Sequence, residues 1–397
     1  MAEKTPVLPT TSNSARASQC EGAGDDQERD PPFVSFVVPV RNEERHIRAC
    51  LESLIAQRYP SDRFEIVAVD GRSTDRTRAI IGEVAAEHEG VELRLLDNPA
   101  RSVAPGRNVG IRAARGEVIA FVEGHACLDE GFLRTAADCL AGTGAQCLGR
   151  YVEQLIAEDS AVQRATGIAR KSWLARNPHS GRFAEQEEGW ISPLGVATVY
   201  RSDVFGQFGT YDEGLTTNED VELNYRLERA GLRAWRSPKL RYRLHPRGTL
   251  GGLFAQMYRY GMGKRRFIRL HPGGSRVAYL APTLLCASAV SALAVLPLAG
   301  WLAGLLAVPS ALYLGLAGGT AVRSLRHGAR TAALVPLVMA TMVVGFGLGY
   351  GTEMARDVGR RLGLHGGRDP GGREARPRPG MSPLQHVPSP ADDRPQS

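Results

Sequence analysis

The chain has 397 residues, is 43% hydrophobic and carries a formal charge of +7. That length suits one catalytic-sized domain with an appendage, since single hydrophobic cores stop growing near about 250–300 residues. The positive excess does not imply nucleic acid, because Lys264, Arg265, Arg266, Arg269 and Arg276 precede a long apolar run and Arg323, Arg326 and Arg330 follow it.

Residues 1–32 form a polar leader without the apolar stretch of a signal peptide, and are expected to be disordered. The domain that follows is therefore expected to stay in the cytoplasm. The six cysteines show neither a C-x-x-C pair nor metal-type spacing, which fits free thiols in a reducing compartment. An almost continuous apolar run over 33–40 predicts a strand buried on both faces. Ile47, Cys50, Leu51, Leu54 and Ile55 at helical spacing predict a helix over 43–57. The same reading gives a strand over 64–69, a helix over 75–88, a strand over 91–96, a helix over 106–114 and a strand over 118–122.

This alternation predicts an α/β domain with a wound, mostly parallel sheet, in which a ligand sits outside the carboxyl ends of the strands. Arg41, Asn42 and Glu43 follow the first strand, Asp70 and Gly71 the second, and Glu123, Gly124 and His125 the strand over 118–122. No G-x-G-x-x-G follows the first strand, and no G-x-x-x-x-G-K-[ST] loop occurs, which excludes the common dehydrogenase and ATPase readings.

The stretch 277–322 has no Asp, Glu, Lys or Arg and is about twice the roughly 20 residues that one bilayer crossing needs. Pro297, Gly300 and Trp301 punctuate its middle, so it is read as two spans, 277–297 and 302–322, with 331–352 as a third. The basic flanks place the segments beside the first two spans in the cytoplasm. Arg356, Arg360 and Arg361 do not follow that rule, because three crossings put them outside. The Arg-, Pro- and Gly-rich tail, 353–397, is expected to be disordered.

Several ordered motifs resemble one family. Val37-Val38-Pro39-Val40-Arg41-Asn42-Glu43, Val69-Asp70-Gly71-Arg72-Ser73-Thr74-Asp75, Gly106-Arg107-Asn108-Val109-Gly110 and Arg115-Gly116-Glu117-Val118-Ile119 are followed by Glu123-Gly124-His125. Asn218-Glu219-Asp220 with Tyr225-Arg226, and Gln256-Met257-Tyr258-Arg259-Tyr260, complete the series. From about 33 to 263 the chain resembles the bacterial family 2 inverting glycosyltransferases of the A-type nucleotide-sugar fold. Its Glu-Gly-His and Asn-Glu-Asp details are similar to the membrane-anchored subgroup of succinoglycan and exopolysaccharide biosynthesis.

The resemblance implies a catalytic domain over 33–250, a juxtamembrane basic segment over 251–276 carrying Q-x-x-R-Y, and a multi-pass anchor in the inner or plasma membrane. It implies a nucleotide-sugar donor, with a UDP-sugar first, and a lipid-linked glycan acceptor. Donor contacts fall on Pro39, Asn42, Glu43, Asp70, Arg107, Glu123 and Arg259, with Asp70 at the base edge and the Arg259 guanidinium at the diphosphate. Glu219, Gln256 and Tyr260 lie on the acceptor side, and Asp220 is the base. Glu123 and His125 stand where the family has D-x-D and imply Mn²⁺ or Mg²⁺, His125 being the more direct ligand and its nitrogen favouring Mn²⁺.

Plain structural roles stand beside these. Asp70-Gly71 is a good turn pair, Asp75 can open the next helix, and Asp220 can be a first-turn helix acid. Arg259 can join Lys264, Arg265 and Arg266 as a lipid anchor. A processive polysaccharide synthase and a nucleotide-sugar-binding pseudoenzyme are the alternative functions.

Overall fold

The structure is a computed structural model that describes residues 30–362 except 155, 157–159, 173–187, 195–196, 245 and 275–276. Most of the expected leader, all of the tail beyond 362 and Cys20 lie outside the described residues. The other five cysteines are free.

The first half follows the apolar patterning closely: β1 (Val34–Val40), α1 (Ile47–Ile55), β2 (Phe64–Asp70), α2 (Thr77–Glu87), β3 (Glu92–Asp97), α3 (Val103–Ala113) and β4 (Val118–Phe121). These four strands pair in parallel, in the order β3-β2-β1-β4. The second half is mixed. It comprises β5 (Ala126–Leu128), α4 (Phe132–Thr143), β6 (Cys147–Gln154), α5 (Ala161–Lys171), β7 (Gly189–Ile191), β8 (Ala197–Arg201), α6 (Asp203–Phe208), α7 (Glu219–Arg229) and β9 (Ala234–Leu244). Here β8 runs antiparallel to β4 and β6, β6 parallel to β9, and β5 and β7 antiparallel to β9. One sheet results, ordered β3-β2-β1-β4-β8-β6-β9-β5, with β7 also on β9.

Alternate residues of β1 serve two cores, as period-2 geometry requires. Phe36 and Val38 pack with Ile47, Leu51, Leu54, Ile81 and Val84. Val37 packs with Phe121, Tyr200, Phe205 and Leu223. With both faces covered, the ligand-accessible part of the parallel region is its carboxyl edge, where Val40 pairs with Asp70 and β4 ends two residues before Glu123.

Four long helices follow: α8 (Leu250–Leu270), α9 (Ala281–Val295), α10 (Gly300–Arg323) and α11 (Ala329–Arg361). Three segments, Ala278–Val295, Gly300–Arg323 and Ala329–Arg361, are long and apolar enough to cross a membrane. The helix continues to Arg361, into the 353–397 segment expected to be disordered, and Glu353 and Asp357 there bind arginines of α8. On another face of the same stretch, α8 lies directly on the sheet domain. A Cβ on Gly263 would stand 2.5 Å from Asn218 Nδ2 and 2.8 Å from the Thr217 carbonyl oxygen, so only glycine allows this approach.

Candidate active site

At the carboxyl edge of β1 and β2, side chains knit two loops together. Asn42, at φ 55°, accepts from Thr74 N at 2.9 Å while its own N–H donates to Ser73 Oγ at 2.9 Å. Asp75 accepts from Thr77 N at 3.0 Å and from Glu44 N at 3.2 Å, the helix-opening role expected of it. Asp70 is fully buried, and its carboxylate accepts from Ser73 N and Oγ and from Arg78 Nη1 at 2.9 Å. Asp70 therefore braces the loop from Gly71 to Asp75, and a nucleobase at its carboxylate must share it with these donors. Pro39 pairs with Val69 in the β1–β2 register and lies on the α3 side against Gly106.

Beyond β4 the triplet Glu123-Gly124-His125 is divided between two partners. Arg150 of β6 grips Glu123 with both terminal nitrogens, Nη1 to Oε2 at 3.0 Å and Nη2 to Oε1 at 3.2 Å. The Arg150 guanidinium lies 4.3 Å from the centre of the Tyr242 ring, and Tyr242 Oη accepts from Glu123 N at 2.6 Å. Burial pushes the Glu123 carboxyl up, but Arg150, Arg107 and His125 together overcome it and hold the group down to about 2. His125 Nδ1 lies 3.1 Å from Glu43 Oε1.

This division tests the expected cation site. No three His, Cys, Asp or Glu side chains gather to hold a metal ion among the described residues. Glu123 is neutralised by a bidentate guanidinium and is a poor direct ligand. The His125–Glu43 pair offers a nitrogen and a carboxylate oxygen side by side, which suits an ion that takes its remaining ligands from substrate phosphates and water. The residues fit such a half-site.

The third group is a buried ion pair between α3 and α7. Arg107 Nη1 lies 3.2 Å from Glu219 Oε1, and the two residues are 7% and 6% exposed. The guanidinium stands 4.9 Å from the Tyr211 ring centre and 5.6 Å from that of Phe121, a cation held on two aromatic faces. Burial works against its charge, but Tyr211, Glu219, Asp220 and Glu123 surround it and raise its pKa. For Glu219 the balance is reversed: burial and the Asp220 charge raise its pKa against the pull of Arg107. Asp220 occupies the first turn of α7, where Oδ1 accepts from Val221 N at 2.8 Å.

Of the α8 residues expected on the acceptor side, Tyr260 reaches the turn before α7 through its backbone carbonyl. The Tyr260 carbonyl accepts from Asn218 Nδ2 at 3.4 Å, and Gln256 Nε2 donates to Tyr260 Oη at 3.2 Å. Arg170 of α5 holds Gln256 Oε1 at 3.1 Å. Arg259 is exposed, and among the described residues it forms no hydrogen bond or ion pair with these groups. The structure thus gathers Arg107, Glu123, Glu219 and Asp220 into one electrostatic cluster, to which Tyr260 is linked through Asn218 and Gln256 through Tyr260. Arg150, Tyr211 and Tyr242 had no motif to flag them; the available sign was a charged residue within the buried run of β6.

Comparisons with known proteins agree with this architecture. Residues 35–209 match the family description "Glycosyl transferase family 2", and residues 126–346 match "Glycosyl transferase family group 2". The succinoglycan biosynthesis protein ExoA of Rhizobium meliloti (strain 1021) is 31% identical over 280 residues, covering 68% of this chain and 83% of the relative. A dolichyl N-acetyl-alpha-D-glucosaminyl phosphate glucuronosyltransferase of Methanococcus voltae, specific in name for the 2,3-diacetamido-2,3-dideoxy sugar, is 27% identical over 60% of this chain and 74% of its own. The mannosyltransferase PcManGT of Pyrobaculum calidifontis, solved with GDP-Man and Mn²⁺, shares the fold at a TM-score of 0.52 and 19% identity, over 81% of this chain and 87% of its own. Together with the mixed-sheet domain, these matches define a glycosyltransferase of the A-type fold. The chain belongs to glycosyltransferase family 2.

Arg150→Met removes the principal counter-charge of Glu123 while keeping side-chain bulk. Because the native pKa of Glu123 lies below its ordinary 4.5, the stabilisation is fully present above about 4.5 and is lost as pH falls toward 2. The variant is expected to lose about 2–3 kcal/mol at pH 7 by denaturant titration, less than the roughly 3–5 kcal/mol of a fully buried pair because the Glu123 side chain is 27% exposed. The difference from the parent protein should shrink as pH falls from 4.5 toward 2. A gap independent of pH would assign the loss to packing instead.

Proposed function

We propose that the chain is an inverting glycosyltransferase that moves a sugar from a nucleotide-sugar donor, a UDP-sugar first, to a lipid-linked glycan acceptor at the cytoplasmic face of the inner membrane. The observation that supports this reading best is the meeting of the α7 first turn with α8. It places an acid cluster, the Q-x-x-R-Y residues and the approach to the apolar helices within one contact region.

The nucleotide base enters beside the loop braced by Asp70 and Asn42. Glu123, kept ionised by Arg150, is placed to accept hydrogen bonds from the ribose hydroxyls. Arg259 presents its guanidinium from α8 to the diphosphate. His125 with Glu43 would hold a divalent cation, Mn²⁺ or Mg²⁺, which when bound neutralises charge on the leaving diphosphate. On the opposite face of the sugar, the Asp220 carboxylate takes the proton of the acceptor hydroxyl as its oxygen bonds to the anomeric carbon. The bond from that carbon to the phosphate oxygen breaks, and its electron pair leaves with the nucleoside diphosphate. Arg107 and Glu219 act as positioning residues, fixing the turn that carries Asp220.

Asp220→Asn should lower transfer by at least about 10³-fold while nucleoside diphosphate affinity stays within about threefold, since the carboxylate moves a proton and does not hold the nucleotide. Isothermal titration beside a radiolabelled transfer assay separates these effects. Near-normal turnover would make Asp220 a helix-capping acid and place the base elsewhere.

Chelation tests the cation half-site. Transfer should vanish in chelator and return better with Mn²⁺ than with Ca²⁺, and His125→Ala should raise the Mn²⁺ concentration for half-maximal activity about 10-fold or more. Activity unaffected by chelator would remove the cation and leave charge neutralisation to Arg259.

A further inference from the structure

Length and composition make α11 eligible to cross a membrane, but its contacts do not suit a crossing helix. Near its start, Thr331 Oγ1 accepts from Arg164 Nε of α5 at 3.3 Å, and Val335 and Val338 pack with Ala165 and Ala169. Helix α5 lies between β6 and β7 of the sheet domain in the chain, and its Gln163 Nε2 donates to the Pro246 carbonyl, just after β9, at 2.8 Å. Near its end, Glu353 and Asp357, 1% and 5% exposed, receive three arginines of α8. Arg266 Nε lies 3.1 Å from Glu353, while Arg265 Nε and Arg269 Nη1 lie 2.7 and 2.8 Å from Asp357.

Between these ends the two helix backbones touch. A Cβ on Gly349 would stand 2.0 Å from the Tyr258 carbonyl oxygen, and one on Gly261 would stand 2.2 Å from that of Phe346. Helix α8 is itself fixed to the catalytic turn through Gly263 and through His271 Nε2, 2.9 Å from Glu222 of α7. From Thr331 to Asp357 an α-helix extends about 39 Å, longer than the bilayer's apolar core of about 30 Å. A helix crossing over that length would carry one contact set to the far side, away from the unit it binds.

The neighbouring helices behave differently. The apolar window of α11 is 39% buried, against 6% for each of the other two. Helices α9 and α10 form a hairpin rooted on α11, with Thr283 Oγ1 donating to the Gly347 carbonyl at 3.1 Å and Tyr313 Oη to that of Met339 at 3.0 Å. The hairpin tip is bare: Leu298 and Trp301 are 86% and 77% exposed.

We infer that only α9 and α10 cross the bilayer, and that α11 lies along the cytoplasmic leaflet beside α8, with its end on the same side as the catalytic domain. Leu337, Val344 and Leu348 form its exposed apolar stripe, which meets lipid acyl chains. Arg356, Arg360 and Arg361 then join Arg323, Arg326 and Arg330 on one side, resolving the charge conflict that three crossings create. The buried ion network of Glu353 and Asp357 also stays out of the hydrocarbon core, where such charges are costly.

The test uses the whole chain in a Gram-negative host, with green fluorescent protein or alkaline phosphatase inserted after Arg269, Leu298 or Leu362. The expected result is fluorescence without phosphatase activity at Arg269 and Leu362, and the reverse at Leu298. Arg361→Cys, in a background without the native cysteines, should resist a membrane-impermeant maleimide in intact spheroplasts and react after permeabilisation. Opposite sides for Arg269 and Leu362, or labelling of Arg361→Cys in intact spheroplasts, would overturn the inference. A phosphatase signal at both Arg269 and Leu362 would preserve their shared side and instead overturn the cytoplasmic placement in the proposed function.

Discussion

The buried ion pair of Arg107 and Glu219 is the constraint around which the active site is arranged. Removing one partner from such a pair leaves an uncompensated charge out of water, a loss of about 3–5 kcal/mol, so the two helices that carry it are held in register. Arg107 comes from α3, packed on the parallel half of the sheet, and Glu219 from α7, in the mixed half. The Phe121 and Tyr211 rings fix the guanidinium from the side, and Asn108 adds reciprocal bonds to the Tyr211 backbone, 2.9 Å to its carbonyl and 3.0 Å from its N–H. Asp220 follows Glu219 directly, so the orientation of the proposed base is set by a contact it does not itself make.

A second consequence concerns the membrane. The turn before α7 has Asn218 in the left-handed region, φ 62°, and Gly263 of α8 is pressed against it. His271 at the end of α8 reaches Glu222 one turn further along α7. Helix α8 therefore contacts α7 and the turn before it at two places while its other side carries α11. The apolar helices and the proposed acceptor site form one continuous packing unit, which suits an acceptor presented at a bilayer surface.

The parts of the molecule that were legible in the sequence share a cause. Helices and strands from β1 to β4 declare themselves through local periodicity, because most apolar positions there face one of two cores. The carboxyl edge proposed to take the substrate follows from topology alone, because those strands are parallel. The partner of Glu123 was not legible, since Arg150 is brought to it by pairing among β6, β8 and β4, and no spacing encodes that neighbour. Asp70 shows the same limit: its place at the edge was readable, but its saturation by Ser73 and Arg78 depends on the loop's path. For α11, hydropathy reported length and composition while the deciding contacts, Glu353 and Asp357 with α8, lie just past the apolar run.

The proposed reaction is displacement at an anomeric carbon by an acceptor activated at Asp220, across the sugar from the departing diphosphate. The direct measurement is the anomeric configuration of the first product, by NMR, when membranes containing the protein turn over α-linked nucleotide sugars from a panel. A β-linked product with release of the nucleoside diphosphate is the predicted result. An α-linked product would contradict the single-displacement site described here.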